Sequence, residues 1–351
     1  MSWKDRLLST NELPAFVVPP SGGSGLPPEG GTTNALAKAL LQQQIETWPA
    51  LRDAVAGFNQ VEYKSFSVKG SEVLTQFNPK RIVSAGAKVD AATIGQRPCF
   101  LCPDNLPKEE KGIAFGASFV ILCNPFPVLW DHLVIASRQH TPQEINGSFG
   151  AFLDLTRELG EGWFTLYNGA RCGASAPDHL HFQACSSKSV PLFDDVKYFS
   201  TQKTAEGLRL ITSDRYRLNF VAAQTDQREA LIGWFAHAVN ALSEVTAANE
   251  EPMFNLVATY WDEQWTIFVF PRAKHRPDCY FAEGEQQLLV SPGAIDLAGV
   301  MVVPPPDHYA RITRRDLEGI YAEVSLDDTR FQQWLAIISL SGEQNREANR
   351  V

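Results

Sequence analysis

The stretch HLHFQ, residues 179–183, places two imidazoles and an amide at alternate positions. Residues two apart in a β-strand point to the same face, so His179, His181 and Gln183 are predicted to line one face. Neutral imidazole is a good nucleophile near pH 7, because its pKa is about 6.5 and no proton has to leave the attacking nitrogen. Two solvent-facing histidines on an amphipathic strand would give the same pattern, and the spacing alone does not separate these interpretations.

A glycine-rich turn, GARCGASAPD, lies just before this strand. Within it, Gly173 and Ser175 offer backbone amides and a hydroxyl that could face an anion. A phosphate group needs such donors, because hydrogen bonds have to meet its charge once water is displaced. The turn is therefore a candidate phosphate-binding element beside the two histidines.

A second constellation is the C-x-x-C formed by Cys99 and Cys102. Two thiolates at this spacing can hold a tetrahedral zinc ion, which takes four nitrogen or sulfur ligands in structural sites. His140 and His179 are the candidates for the two remaining positions. A redox pair is the weaker interpretation, because the two residues between the thiols are bulky and apolar and no thioredoxin-like βαβ unit surrounds them.

Short strands and long helices are predicted to position these groups. Apolar runs bounded by turn residues predict buried strands at 119–123, 132–136, 163–168 and 179–184. A helix is predicted over 141–160, with Thr141 as its cap and Pro142 in its first turn. A turn at Lys69 and Gly70 predicts a strand pair over 61–74.

A second stretch repeats this combination of short strands and a long helix, with a helix predicted over 227–248 and strands over 254–260 and 265–270. The fold class is therefore predicted to be α+β, with two similar lobes. Three domains are expected: a flexible N-terminal segment over 1–33, an N-terminal lobe with the metal and catalytic motifs over 34–205, and a C-terminal lobe over 206–351 that completes the substrate site.

Charge narrows the class of partner. The 351 residues carry a formal net charge of -9 at pH 7, which argues against a nucleic-acid polymer or an anionic membrane as partner. No secretory signal or membrane-spanning run is recognised, and six cysteines do not suggest a disulfide framework. A cytoplasmic protein is therefore expected.

A basic cluster stands out in this acidic chain, at Arg272, Lys274, His275 and Arg276. The hypothesis is that it binds the distal phosphate of a substrate or an incoming phosphate. A cluster of solvated loop charges would look the same in the sequence.

The motifs RPCFLC, SRQHTPQEI and NGARCGASAPDHLHFQ together resemble the galactose-1-phosphate uridylyltransferase branch of the histidine triad superfamily. That branch has a C-x-x-C, then a lone zinc-binding histidine, then a Gly-x-Ser turn that leads into H-x-H-x-Q. The late segments VFPRAKHRPDCYF and SPGAIDLAGVMVVP look closer to GDP-hexose and diadenosine tetraphosphate phosphorylases of the same superfamily. The early segment QFNPKRIVSAGAKVD looks like that family's nucleotide-contacting segment.

The resemblance implies two histidine-triad-like lobes, each an antiparallel sheet with flanking helices, and it implies roles for single residues. His181 would be the nucleophile on the α-phosphorus, and Gln183 and Ser175 would hydrogen-bond phosphate oxygens. A structural zinc ion would be held by Cys99, Cys102, His140 and His179. Further candidate substrate or phosphate contacts, taken from the residues themselves, are Gly173, Asn168, Asn78, Arg81, Arg272, Lys274 and His275. For Asn78 and Arg81, a plain turn with a solvated arginine would give the same pattern. One departure is that three residues separate Ser175 from His179, where the uridylyltransferases have two.

The implied function is nucleotidyl transfer from a nucleotide sugar or dinucleoside polyphosphate to inorganic phosphate or a sugar phosphate, through a covalent nucleotidyl-histidine. Gln183 favours the transferase branch, since the hydrolase branch keeps a third histidine there. Two alternatives stay open: a zinc-dependent nucleotide hydrolase in which His179 and His181 hold a catalytic metal, and a non-catalytic nucleotide-binding protein. A homodimer is the default expectation for a soluble oligomer.

Overall fold

The computed structural model describes residues 2–14, 32–79, 97–196, 199–205 and 208–348. Arg81 and the glycine- and proline-rich part of the predicted N-terminal segment lie outside these residues. None of the helices in the described ranges has the length and apolar character needed to cross a bilayer.

The described residues contain helices α1 (Thr33–Thr47), α2 (Pro49–Ala56), α3 (Phe149–Leu159), α4 (Leu192–Asp195), α5 (Arg228–Thr246), α6 (Ala294–Leu297), α7 (Pro306–Arg311), α8 (Arg314–Val324) and α9 (Asp328–Ala348). The strands of the first half are β1 (Glu62–Val68), β2 (Ser71–Phe77), β3 (Gly112–Phe115), β4 (Phe119–Cys123), β5 (Leu133–Ser137), β6 (Trp163–Asn168) and β7 (His181–Ser186). Those of the second half are β8 (Ser200–Ala205), β9 (Leu208–Thr212), β10 (Val221–Thr225), β11 (Phe254–Trp261), β12 (Gln264–Pro271) and β13 (Val300–Val302).

Ten strands form one continuous antiparallel sheet, in the order β3-β4-β5-β7-β6-β11-β12-β10-β9-β8. The first five come from the first half of the chain and the other five from the second. The halves join where β6 pairs with β11, so neither lobe leaves its inner strand as an open edge. The predicted α+β class with two lobes is confirmed, and the two sheets are fused edge to edge. The boundary at residue 205 stays a prediction; β8, which ends there, pairs with β9 of the second half.

A smaller sheet ties the two halves together a second time. The predicted hairpin is present as β1 and β2, and Lys69 and Gly70 at its turn have φ values of 49° and 87°. These left-handed values suit the tight turns that connect antiparallel strands. Strand β13, from the second half, pairs with β2 in parallel.

Successive side chains of strand β7 point alternately into the hydrophobic core and to the opposite face of the sheet. Phe182 is fully buried in the core on one side of the large sheet, and its ring lies near those of Phe119 and Phe152. On the same side Phe149 stacks on Phe235 with ring centroids 3.8 Å apart, which packs α3 against α5. The odd-numbered side chains of β7 are left for the opposite face.

Two predicted boundaries were wrong near the site. The helix predicted over 141–160 begins only at Phe149, because the preceding segment is held by contacts to other parts of the chain, among them a bond from the Gln143 N–H to the Pro177 carbonyl in the glycine-rich turn. The strand predicted from residue 179 begins at His181. His179 lies before the strand, and its ring faces the thiols of Cys99 and Cys102.

Candidate functional site

The side chains of the four predicted metal ligands lie close together near the start of β7. Their ligand atoms all lie within 4.8 Å of one another, in Cys99, Cys102, His140 and His179. Nδ1 of His179 is 3.3 Å from Sγ of Cys99, and Nδ1 of His140 is 3.3 Å from Sγ of Cys102. A tetrahedral ion with ordinary zinc bond lengths places nitrogen and sulfur ligands about 3.6 Å apart. The donor set and its spacing therefore fit a metal ion.

Hydrogen bonds outside this cluster fix the two imidazoles. Nε2 of His179 donates to the carbonyl of Ser137 at 2.8 Å, which leaves Nδ1 unprotonated and facing the thiols. Nε2 of His140 faces the carboxylate of Asp178 at 3.7 Å. Burial raises the pKa of the Cys99 thiol to about 11, so a nearby cation is needed to hold it as a thiolate at neutral pH.

The cluster bears on the hydrolase alternative. Four protein ligands complete a tetrahedral ion and leave no open position for an attacking water. His181 is not among the clustered ligand atoms. The arrangement therefore suits a structural metal, and it disfavours a catalytic metal shared by His179 and His181.

His181, the first residue of β7, is 5 % exposed. Its Nδ1 lies 2.9 Å from the carbonyl oxygen of His179, which can only accept, so Nδ1 carries the proton. Burial lowers the pKa of His181 to about 4, and the ring is neutral near pH 7. A neutral imidazole protonated at Nδ1 keeps its lone pair on Nε2, which is thus the nitrogen available for attack.

The carboxamide of Gln143 bonds to both the backbone N–H and the carbonyl of His181, a contact that the sequence did not predict. Its Oε1 accepts the His181 N–H at 2.8 Å, and its Nε2 donates to the carbonyls of His181 at 3.0 Å and Asn168 at 2.9 Å. Pairing between β6 and β7 stops at Leu166 and Gln183. The carboxamide therefore satisfies backbone groups at the point where the two strands separate.

Gln183 lies on the same side of β7 as His181, and its amide is oriented by His132. Nδ1 of His132 accepts the Val128 N–H at 3.0 Å, so its Nε2 carries the proton and donates to Oε1 of Gln183 at 2.7 Å. The amide NH₂ of Gln183 is thereby left to donate to another acceptor. His132 was not among the predicted site residues.

The glycine turn lies against the second half of the chain. Gly173 has a φ of +113°, and a Cβ there would lie 3.0 Å from the Cα of Gly293, so the close approach requires glycine. Ser175 is exposed, and its carbonyl accepts a bond from Arg97 at 3.0 Å.

Asn168 and Asn78 are both buried, with 8 % and 5 % exposure. Oδ1 of Asn168 accepts bonds from Nδ2 of Asn255 at 2.7 Å and from the N–H of Ala294 at 2.8 Å. Asn168, predicted as a substrate contact, therefore joins β6 to β11 and to the first residue of α6 through its amide oxygen.

The basic cluster divides into buried and accessible members. Arg272 is 2 % exposed, and its guanidinium makes five bonds, to Oδ1 of Asn255 and to the carbonyls of Lys274, His275, Pro292 and Val324. All five N–H groups are thus used. The predicted phosphate contact of Arg272 is corrected on this ground: the residue holds loops together.

Lys274 is neutralised at the surface. Its ammonium lies 2.6 Å from Asp278 and 2.9 Å from Glu323. Nε2 of His275 lies 3.2 Å from the hydroxyl of Ser291. Of the predicted cluster, His275 and its neighbour Arg276 therefore have the side chains best placed for an anion.

Two family models match the chain in succession. Residues 40–186 match a domain of unknown function, DUF4922, and residues 201–343 match the GDPGP1-like C-terminal domain. The first match ends with the last residue of β7, so it contains the cysteine–histidine cluster and His181. The GDPGP1-like match supports the resemblance of this chain to the phosphorylase branch of the histidine triad superfamily.

Two solved structures of one yeast enzyme share the fold of this chain. Yeast Ap4A phosphorylase Apa2 aligns with a TM-score of 0.57 at 14% identity, over 82% of this chain and 97% of the other. The same yeast enzyme in complex with Ap4A gives a TM-score of 0.55 at 15% identity, over 82% and 97%. An ADP-glucose phosphorylase from Arabidopsis thaliana aligns with a TM-score of 0.34 at 13% identity, over 76% and 99%. No curated protein sequence matches significantly.

Proposed function

We propose that the protein transfers a nucleotidyl group from a nucleotide sugar or dinucleoside polyphosphate to a phosphate-bearing acceptor, through a covalent bond to His181. The observation that carries the proposal is the fixed tautomer of His181, which keeps Nε2 unprotonated on the face of β7 shared with Gln183. The yeast enzyme of the same fold has been crystallised with Ap4A, and the C-terminal match is to a GDPGP1-like domain.

The reaction has two balanced steps. In the first, the Nε2 lone pair of His181 attacks the α-phosphorus, an N–P bond forms, and the P–O bond to the departing sugar phosphate or nucleotide breaks. In the second, an oxygen of the acceptor phosphate attacks the same phosphorus and the N–P bond breaks, which returns neutral His181. Two displacements replace one difficult direct transfer, so ping-pong kinetics are expected.

Protein donors have to stabilise the charge on the transferring phosphoryl group. The amide NH₂ of Gln183 is one such donor, since His132 holds its oxygen. Backbone N–H groups and the hydroxyl of the turn at Gly173 and Ser175 would supply others. A donor fixed before the reaction needs no reorganisation as charge develops.

Zinc is the proposed metal, held by Cys99, Cys102, His140 and His179. When bound, it would brace the segment before β7 and take no part in bond making. The bracing reaches His181 directly, because His179 faces the cysteines through its ring and accepts the Nδ1–H of His181 through its carbonyl.

The proposal is tested by trapping the intermediate. The protein is incubated with nucleotide sugars and dinucleoside polyphosphates labelled at the α-phosphate, then denatured and assayed for protein-bound label. A phosphoramidate adduct should be labile to acid and should discharge when inorganic phosphate is added. Absence of label with every base and every sugar in the panel would count against the proposal.

Replacing Gln143 with leucine tests whether its carboxamide positions His181. The change keeps the bulk of the side chain and removes three bonds around the His181 and Asn168 backbones. Adduct formation in a single turnover is expected to slow about 10- to 100-fold, at about 1.4 kcal/mol per factor of ten, with the substrate KM nearly unchanged.

The matched control is Gln44→Leu, which removes another fully buried glutamine, one whose Oε1 accepts the Lys111 N–H at 2.8 Å. It should lower the melting temperature without slowing adduct formation. Equal slowing in both variants would show that Gln143 acts only through general stability.

A further inference from the structure

Two loops of the second half meet at the hydroxyl of Ser291. Nε of Arg276 donates to it at 3.0 Å, and Nε2 of His275 lies 3.2 Å from it. The Arg276 guanidinium also lies over the ring of Tyr280, 4.3 Å from its centroid. These two contacts hold the guanidinium in one orientation.

The outer edge of that guanidinium is available. Neither Nη1 nor Nη2 of Arg276 is bonded to another residue in the part of the chain that the structure describes, nor does an acidic group there pair with it. Lys274, two residues earlier, is by contrast paired with Asp278 and Glu323. The guanidinium of Arg276 is therefore fixed in orientation and has no acidic partner among the described residues, although the chain has a net charge of -9.

Arg272 explains why the two loops come together. Its buried guanidinium donates to the carbonyls of Lys274 and His275 on one loop and of Pro292 on the other. Since each N–H of Arg272 is used, the residue acts as a clamp between the two loops and offers no donor of its own to a ligand.

The clamp also places these loops beside the glycine turn. Gly293, two residues after Ser291, approaches Gly173 so closely that a Cβ on Gly173 would be 3.0 Å from its Cα. The next residue, Ala294, donates to Oδ1 of Asn168 at 2.8 Å. Ser291 thus lies two and three residues along the chain from Gly293 and Ala294, which contact Gly173 and Asn168.

We propose that Arg276 and Ser291, with His275 beside them, form the subsite for the phosphate group of the acceptor. The ligand is a phosphate dianion, which the paired Nη groups of Arg276 can meet with two parallel N–H···O bonds. Inorganic phosphate and a sugar 1-phosphate both carry this group. The inference rests on the proposed function only in naming the anion as the acceptor.

The test is a calorimetric titration of the full chain with inorganic phosphate and, separately, with glucose 1-phosphate. Arg276→Gln is expected to weaken binding about 10- to 100-fold, as for a charged hydrogen-bonded pair. Arg315→Gln, which removes an exposed arginine of α8, is the charge-matched control and should bind like the wild type. Dependence on Arg276 for only one of the two compounds would support the subsite and identify its source of phosphate. Loss in Arg276→Gln no greater than in Arg315→Gln, for both compounds, would overturn the subsite.

A second readout separates this proposal from the proposed function. In Arg276→Gln and Ser291→Ala, His181 should still become labelled, while half-maximal discharge of the adduct should need about tenfold more phosphate or more. If the wild type binds phosphate through Arg276 but never becomes labelled, the nucleotidyl-histidine fails and the anion site stands. If labelling occurs and discharge is normal in both variants, the subsite fails and the nucleotidyl-histidine stands.

Discussion

Alanine at position 181 is expected to abolish covalent labelling and to reduce turnover by at least about 10³-fold. The reason is that neither of two nearby imidazoles, those of His179 and His132, can take over the attack. His179 is committed to the cysteines through Nδ1 and to the Ser137 carbonyl through Nε2. His132 is likewise used at both nitrogens, by Val128 and Gln183. The measurement is protein-bound label after incubation with an α-labelled substrate, together with steady-state turnover.

His237→Ala is the matched control for this variant. His237 lies on α5 with Nε2 3.5 Å from the carbonyl of Ile337, outside the site. Its replacement should leave labelling intact. Wild-type labelling in His181→Ala would move the nucleophile elsewhere and remove the basis of the proposed mechanism, whereas loss of label in both variants would point to misfolding.

Loss of the proposed zinc ion is expected to have the second large effect. It should lower the folding stability first, and turnover only as a result. The cluster joins three separate segments: the loop with Cys99 and Cys102, the residues after β5 with His140, and the entry to β7 with His179. Without the ion, the two thiols and two imidazoles no longer link these three segments. Cys99→Ser, or chelation, should therefore lower stability by about 3–5 kcal/mol, seen as a fall in melting temperature of about 5–10 °C.

Cys279→Ser is the control, since Cys279 is a free cysteine outside the cluster, and it should leave zinc content and melting temperature nearly unchanged. Turnover of the chelated protein should decline in step with unfolding. Immediate loss of turnover on chelation, with an unchanged melting temperature, would instead indicate a catalytic metal and revive the hydrolase alternative. A wild-type protein that carries no metal would exclude the zinc assignment itself.

The sequence by itself determined the chemistry that local spacing can encode. The alternation in HLHFQ puts Phe182 in the core and keeps His181 and Gln183 on the opposite face, because strand geometry has a period of two. The C-x-x-C spacing likewise brings both thiols to one point, since four residues of chain cannot separate them far. The order of strands around long helices was enough for the α+β class and the two lobes.

Only the tertiary structure decided which of the remaining polar residues serve the site. Gln143 lies in a segment whose caps predict a helix, and its role exists only because β6 and β7 separate beside it. Arg272 and Arg276 look alike in a basic run, yet all five N–H groups of Arg272 are bonded to carbonyl oxygens, whereas Arg276 uses only its Nε–H within the described residues. These distinctions depend on backbone groups brought together from distant parts of the chain, and no spacing within one segment records such contacts.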